Sequence, residues 1–125
     1  MRDRYLFRGK QDDGKWAIGH YISCDVIGHE IYCHREGVGY EIDPATIGQC
    51  TGLRDKNGTL IFEGDIAKST CTYVVTWHSY DPVSDAHAAE WILKAVASQY
   101  YEYFFNVPNL EIIGNIHDNP ELLER

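Results

Sequence analysis

Residues 51–69 read TGLRDKNGTLIFEGDIAKS, nineteen positions in which two turn signals, Asn57-Gly58 and Gly64, divide the chain into short apolar runs. A helix needs an unbroken periodic stretch of about ten residues or more, and none fits between these breaks. Glycine reaches left-handed dihedrals without steric cost, so Asn57-Gly58 predicts a hairpin turn and Gly64 a bulge or a diverging turn. "TLIFEGDIAKS" is therefore expected as a strand interrupted at Glu63-Gly64-Asp65 and resumed at Ile66. Asp65 is placed to accept backbone N–H groups at the interruption.

The same grammar runs through the rest of the chain. RYLFRG and KWAIGHYIS flank Asp13-Gly14 and predict strand, turn, strand, with Tyr5, Phe7, Trp16 and Ile18 beside the turn. A second hairpin is expected in CDVIGHEIYCH with Gly28 at its bend. REGVGYEIDPAT reads as a loop and a brief strand stopped at Pro44, because proline lacks the ladder donor. TYVVTWH is a further strand, LEIIGNI the last, and DNPELLER a closing turn with one helical turn. SDAHAAEWILKAVASQYYEYFF admits two readings. Either Ser84 or Asp85 caps a helix with Ala88, Trp91, Ile92, Ala95 and Val96 on one face, or WILKAV and YYEYFF are two strands.

The 125 residues suit one domain or two small lobes. Nine Tyr, three Trp and four Phe favour sheet faces over helical bundles. A net charge of −8 argues against a general binder of nucleic-acid backbones. The basic group Arg2, Arg4, Arg8 and Lys10 is interrupted by Asp3 and followed by Asp12 and Asp13. Cys24, Cys33, Cys50 and Cys71 form no C-x-x-C pair. With no signal-peptide pattern in MRDRYLFRGK and no membrane-length apolar run, the chain is expected in the cytoplasm with free thiols.

DPATIGQCTGLRDKNGTLIFEGDIAK and the ending LEIIGNIHDNPELL resemble the two signature blocks of the YopX family of phage and prophage proteins. The opening RYLFRGK, followed by KW, resembles that family's N-terminal block, and the three together cover about half of the chain. The middle, HSYDPVSDAHAAEW, is longer and more polar than the family pattern. The resemblance implies a phage-encoded product acting in a bacterial host, a mostly β fold with an SH3-like barrel in its later part, and no established enzymatic activity. It brings no catalytic residues.

Combined, these readings predict a mainly β chain with at most one short helix: an N-terminal hairpin lobe at 1–43 and an SH3-like barrel lobe at 44–125. No catalytic, cofactor or metal residue is expected. Asp55, Asn57 and Gly58 echo a calcium loop, but the twelfth position is Ile66 where a bidentate Glu belongs. Glu63 and Asp65 are separated by Gly64, which disturbs the shared face a metal pair would need. His29, Cys33, His34 and Cys24 lack the companion pair of a zinc site, and a Cys71–His78 couple has no local motif. Asn115, His117, Asp118 and Asn119 read as turn formers.

The aromatic run Tyr100, Tyr101, Tyr103, Phe104 and Phe105 cannot all enter one core from either periodicity. It is the expected interaction surface, of a kind enriched in interface cores. Together with open strand edges it predicts a non-enzymatic binding or accessory module, a homo-oligomer that meets a host or phage protein. The competing readings are an acidic module that binds a host nucleic-acid-binding protein, and a metal-dependent hydrolase or nuclease using Asp55, Glu63, Asp65 or His117. Direct nucleic-acid binding by the barrel is a third.

Overall fold

The computed structural model describes residues 5–26, 28–78, 90–98 and 100–124, with the side chains of Cys24, His78 and Phe105 left aside. The chain divides into two compact units, Met1–Leu53 and Arg54–Arg125. Both are mainly β. No helix among the described residues is long and apolar enough to cross a membrane.

In the first unit β1 (Phe7–Lys10), β2 (Trp16–Cys24), β3 (Gly28–Cys33), β4 (Val38–Glu41) and β5 (Asp43–Arg54) form an antiparallel sheet in the order β4-β3-β2-β1-β5. The Asp13-Gly14 turn is local chemistry. The Gly14 N–H donates to the Gln11 carbonyl at 2.9 Å, the Gln11 N–H to the Lys15 carbonyl at 2.9 Å, and the Lys15 N–H to Asp13 Oδ1. Only Gly14 takes a positive φ, +85°, so this is a hairpin loop with one left-handed glycine and not a two-residue turn. Register then follows: Lys10 faces Trp16 and Arg8 faces Ile18. Ala17, Ile31 and Ile42 form the core, with Phe7, Tyr21, Tyr40 and Ile47 packed on it.

Two boundaries fall elsewhere than the sequence reading put them. Pro44 does not stop a strand but lies near the start of β5, where the pairing with β1 is irregular between Arg8 and Lys10. Thr46 Oγ1 accepts the Lys10 N–H there, at 2.8 Å, so a side chain stands in at the irregular stretch of ladder. Because β5 pairs with β1 (Phe7 with Gln49, Arg8 with Gly48), it stays with the first unit, and the division comes after Leu53 rather than after residue 43.

The second unit contains β6 (Leu60–Phe62), β7 (Asp65–Lys68), β8 (Thr72–His78), β9 (Glu90–Ala95), β10 (Tyr101–Tyr103) and β11 (Glu111–Asn115). Its five-stranded sheet runs β10-β9-β8-β7-β11. A meander of four strands is followed by a 3-10 turn at Phe104–Asn106, and the last strand returns to the open side of the first. That is the connectivity of an SH3-like barrel; β10 and β11 are not paired among the described residues.

Glu90–Ala95 and Tyr101–Tyr103 are both strands. Six successive pairings of β9 with β8, from Tyr73–Ala95 to His78–Glu90, prevail over the helical spacing of Trp91, Ile92 and Ala95. The cap candidates Ser84 and Asp85, and Ala88, lie outside the described residues. Ile61, Ala67, Tyr73, Val75, Leu93 and Leu110 form the core. Leu93 is fully buried between Val75 and Glu102 on the neighbouring strands.

Candidate functional site

The three carboxylates of the opening stretch have separate structural environments. Asp55 begins the Asn57-Gly58 hairpin, which has the same form as the first: the Gly58 N–H donates to the Asp55 carbonyl at 3.0 Å and the Asp55 N–H to the Thr59 carbonyl at 2.9 Å. Gly58 alone is left-handed, at φ +84°. Asp55 Oδ1 accepts the N–H groups of Asn57 and Thr59, and Oδ2 accepts the N–H of Ile112, each at 2.9 Å. Burial pushes the Asp55 carboxyl upward, but the N–H groups of Ile112, Thr59 and Asn57 outweigh it and hold the pKa below the usual aspartate value.

Asp65, only 2% exposed, accepts the Phe62 N–H on Oδ2 at 2.7 Å across the Gly64 break. Gly64 sits at φ +90°. Glu63 is half-buried. Asp55 is bonded at the Ile112 end of β11, whereas Asp65 pairs with Asn115 at the other. Those positions are three residue steps apart along the strand, about 10 Å, so the two carboxylates do not converge.

The closing block is a network of the same kind. Asn115 Oδ1 accepts the N–H groups of His117 and Asp118, Asn115 Nδ2 donates to Asp118 Oδ2, and Asn119 Oδ1 accepts the Asn115 N–H. The Ile116 N–H donates to the Gly64 carbonyl at 2.9 Å, which ties this turn to the Glu63-Gly64-Asp65 turn. Asn115→Ala is expected to destabilise the second unit by about 2 kcal/mol, because two N–H groups lose their acceptor. Urea unfolding checks it; a loss under about 0.5 kcal/mol, the range of an ordinary surface change, would contradict the turn-forming role.

The histidines and cysteines occupy other surroundings. Tyr21 Oη and His29 Nδ1 share a 2.5 Å hydrogen bond. His34 packs edge-on to His20 and Tyr32, at 4.8 and 5.0 Å between ring centroids. Cys33 is half-buried, Cys50 buried and Cys71 exposed. Among the described residues no three His, Cys, Asp or Glu groups come together as a metal site would require. The side chains of Cys24 and His78 lie outside the description.

Cys71 borders a cleft of about 380 Å³ lined by Thr72, Ala95, Val96 and Leu122. The buried Tyr73 phenol beside it is pushed up, chiefly by burial and then by the Cys71 thiol that hydrogen-bonds it.

The expected aromatic surface divides in two. Tyr100 is 79% exposed and Tyr101 45%, while Tyr103 is half-buried and stacks edge-on against Tyr101 at 6.1 Å. Phe104 turns inward onto the core. The Phe105 side chain lies outside the described residues.

Two further aromatic groups escape a reading by periodicity. Trp77 and Trp91 face one another across β8 and β9 at 4.8 Å, with Trp77 exposed. In the first unit the Arg8 guanidinium lies 4.6 Å and Lys10 Nζ 5.7 Å from the Trp16 ring centroid. The latter was accessible in principle, since the Asp13-Gly14 turn sets Lys10 opposite Trp16.

These features define a class: a two-unit antiparallel β protein whose acidic and amide motifs cap its own turns. A family model described as YopX protein matches residues 3–124, and the chain belongs to that family. No curated protein matches it.

Proposed function

We propose that the chain is a phage- or prophage-encoded, non-enzymatic binding module that acts as a homo-oligomer in the host cytoplasm. The observation that carries this reading is the exposed aromatic edge of the second unit, Tyr100 just before β10 and Tyr101 as its first residue. Tyrosine offers a large contact area at low conformational cost, and such side chains anchor protein interfaces. The engagement of Asp55 and Asp65 by backbone N–H groups supports the non-enzymatic half, because it occupies oxygens that metal-dependent hydrolysis would need free.

Native mass spectrometry of the purified chain, without added metal or chelator, tests the proposal. The expected spectrum is a defined oligomer of bare chains. A monomer carrying stoichiometric zinc, calcium or magnesium would overturn it. For the partner surface, Tyr100→Ser with Tyr101→Ser is expected to weaken capture of whatever protein the wild-type chain retains by about tenfold or more, at unchanged melting temperature. Equal capture by wild type and variant would exclude this edge as the contact.

A further inference from the structure

The strand β4 closes one side of the first sheet: its inner neighbour is β3, and no described strand lies beyond it. The ladder fixes which of its backbone groups are used. The Ile42 N–H donates to the His29 carbonyl at 3.1 Å. Hydrogen-bonded pairs alternate along an antiparallel ladder, so Tyr40 bonds Ile31, while the N–H and C=O groups of Gly39 and Glu41 turn outward. Val38, Gly39 and Glu41 are all exposed. A row of outward amides and carbonyls on an uncovered edge is a template for another strand.

The side chains beside those groups are acidic. Glu30 and Glu41 face each other as a non-hydrogen-bonded pair, the closer of the two kinds, and like charges there repel. A Cβ on Gly39 would run into Glu30 Oε1, so the Glu30 carboxylate lies over Gly39 and both charges flank the outward backbone groups. Neither carboxylate has an ionic or hydrogen-bonding partner among the described residues. Val38, 44% exposed, and Tyr40 belong to the other face of the same edge. The Tyr40 hydroxyl donates to Glu36 Oε1 at 2.6 Å, which holds the ring in place.

We propose that β4 takes up an extended basic segment of a partner protein as an added strand, with lysine or arginine at alternate positions and apolar residues between them. Opposite Gly39 and Glu41, two residues of the incoming strand exchange main-chain hydrogen bonds with them and set their side chains beside Glu30 and Glu41. The residue between those two falls on the face of Val38 and Tyr40. Charge complementarity selects this occupant. A second copy paired edge to edge would bring Glu30 and Glu41 against the same carboxylates, whereas cations relieve the repulsion already present between them. This edge belongs to the first unit, and its occupation is independent of the homo-oligomer reading.

The test titrates the full chain into a fluorescently labelled peptide, Lys-Val-Lys-Val-Lys-Val-Lys, and reads anisotropy at fixed ionic strength. Saturable binding is expected, and the double variant E30Q/E41Q should weaken it about tenfold or more. A peptide of the same composition with its lysines in one block should bind about fivefold more weakly or worse, because only alternation puts every cation on the acidic face. Glu41→Pro separates strand addition from charge. The Glu41 N–H points away from β3, so proline removes a donor to the peptide without removing a bond to β3. Its affinity should fall about threefold or more below that of Glu41→Gln, with circular dichroism showing that each variant is folded. No saturable binding, equal affinity of wild type and the double variant, or equal affinity for the alternating and blocked peptides would overturn the proposal. Equal affinity of folded E41P and E41Q would reduce the edge to a charged patch and overturn strand addition. Self-association of the wild type that E41P abolishes and the peptide fails to disrupt would give the edge to a second copy, and would overturn it too.

Discussion

Asp55→Ala is expected to destabilise the second unit by about 3–5 kcal/mol, among the largest effects a single substitution can have. Its carboxylate, 9% exposed, accepts three backbone N–H groups: two close the Asn57-Gly58 hairpin and the third belongs to Ile112, 57 positions away on β11. Removal leaves three donors without that acceptor and cuts a link between the hairpin and the last strand. Nearby, the Lys56 N–H donates to the Leu110 carbonyl, and Lys56 Nζ stands 3.4 Å from the Glu111 carboxylate. Both groups of that ion pair are nearly half exposed, so it adds little in comparison.

Denaturant titration checks the prediction; a loss below about 1 kcal/mol would show that water replaces the carboxylate well. The same group has a pH signature. Its folded pKa is depressed, so the stability it contributes is complete above the ordinary aspartate value of about 3.9 and is lost as pH falls from there through the folded value. Asp55→Asn should flatten that acid limb. An unchanged limb in the variant would assign the acid sensitivity to other carboxylates.

Gly19→Ala is expected to be nearly as costly in the first unit, about 3 kcal/mol. A Cβ at this position would run into the backbone carbonyl oxygen of Tyr32 and lie 2.9 Å from its carbonyl carbon, with Ile31 Cγ2 at 3.2 Å. A carbonyl held in the β2–β3 ladder cannot swing aside as a flexible side chain can, so the two strands must separate or shift register. Gly14→Ala differs in cause: nothing lies within 4 Å of its Cβ position, and the penalty comes from the positive φ alone. Thermal unfolding of the two variants separates the mechanisms, with Gly19→Ala expected to melt lower. The reverse order would mean that the β2–β3 pair adjusts around a methyl group.

Both turns that hold the hairpins were legible because their chemistry is local. Asp13 reaches Lys15, and Asp55 reaches Asn57 and Thr59, within four positions. The break at Gly64 and the role of Asp65 were legible for the same reason, since its acceptor contact spans only three residues. Pro44 misled because its local rule was met by a partner 36 positions from Lys10, the Thr46 hydroxyl. The stretch from 90 to 103 stayed undecided because Trp91, Ile92 and Ala95 fit both periods, and only the pairing of β9 with β8 selected the strand.

The aromatic run shows the same limit at the level of the site. Alternation implied that some of Tyr100, Tyr101, Tyr103, Phe104 and Phe105 must face outward, but only the packed structure shows Phe104 on the core and Tyr100 largely exposed. The amino-acid order thus dictated the mainly β class and the hairpin turns, because glycine dihedrals and short Asp-to-backbone bonds act within a few residues. The folded chain decided the order β10-β9-β8-β7-β11, the third donor to Asp55 and the Gly19–Tyr32 approach. These depend on which distant strands meet, and that is settled by burial of apolar faces against the entropy of closing long loops.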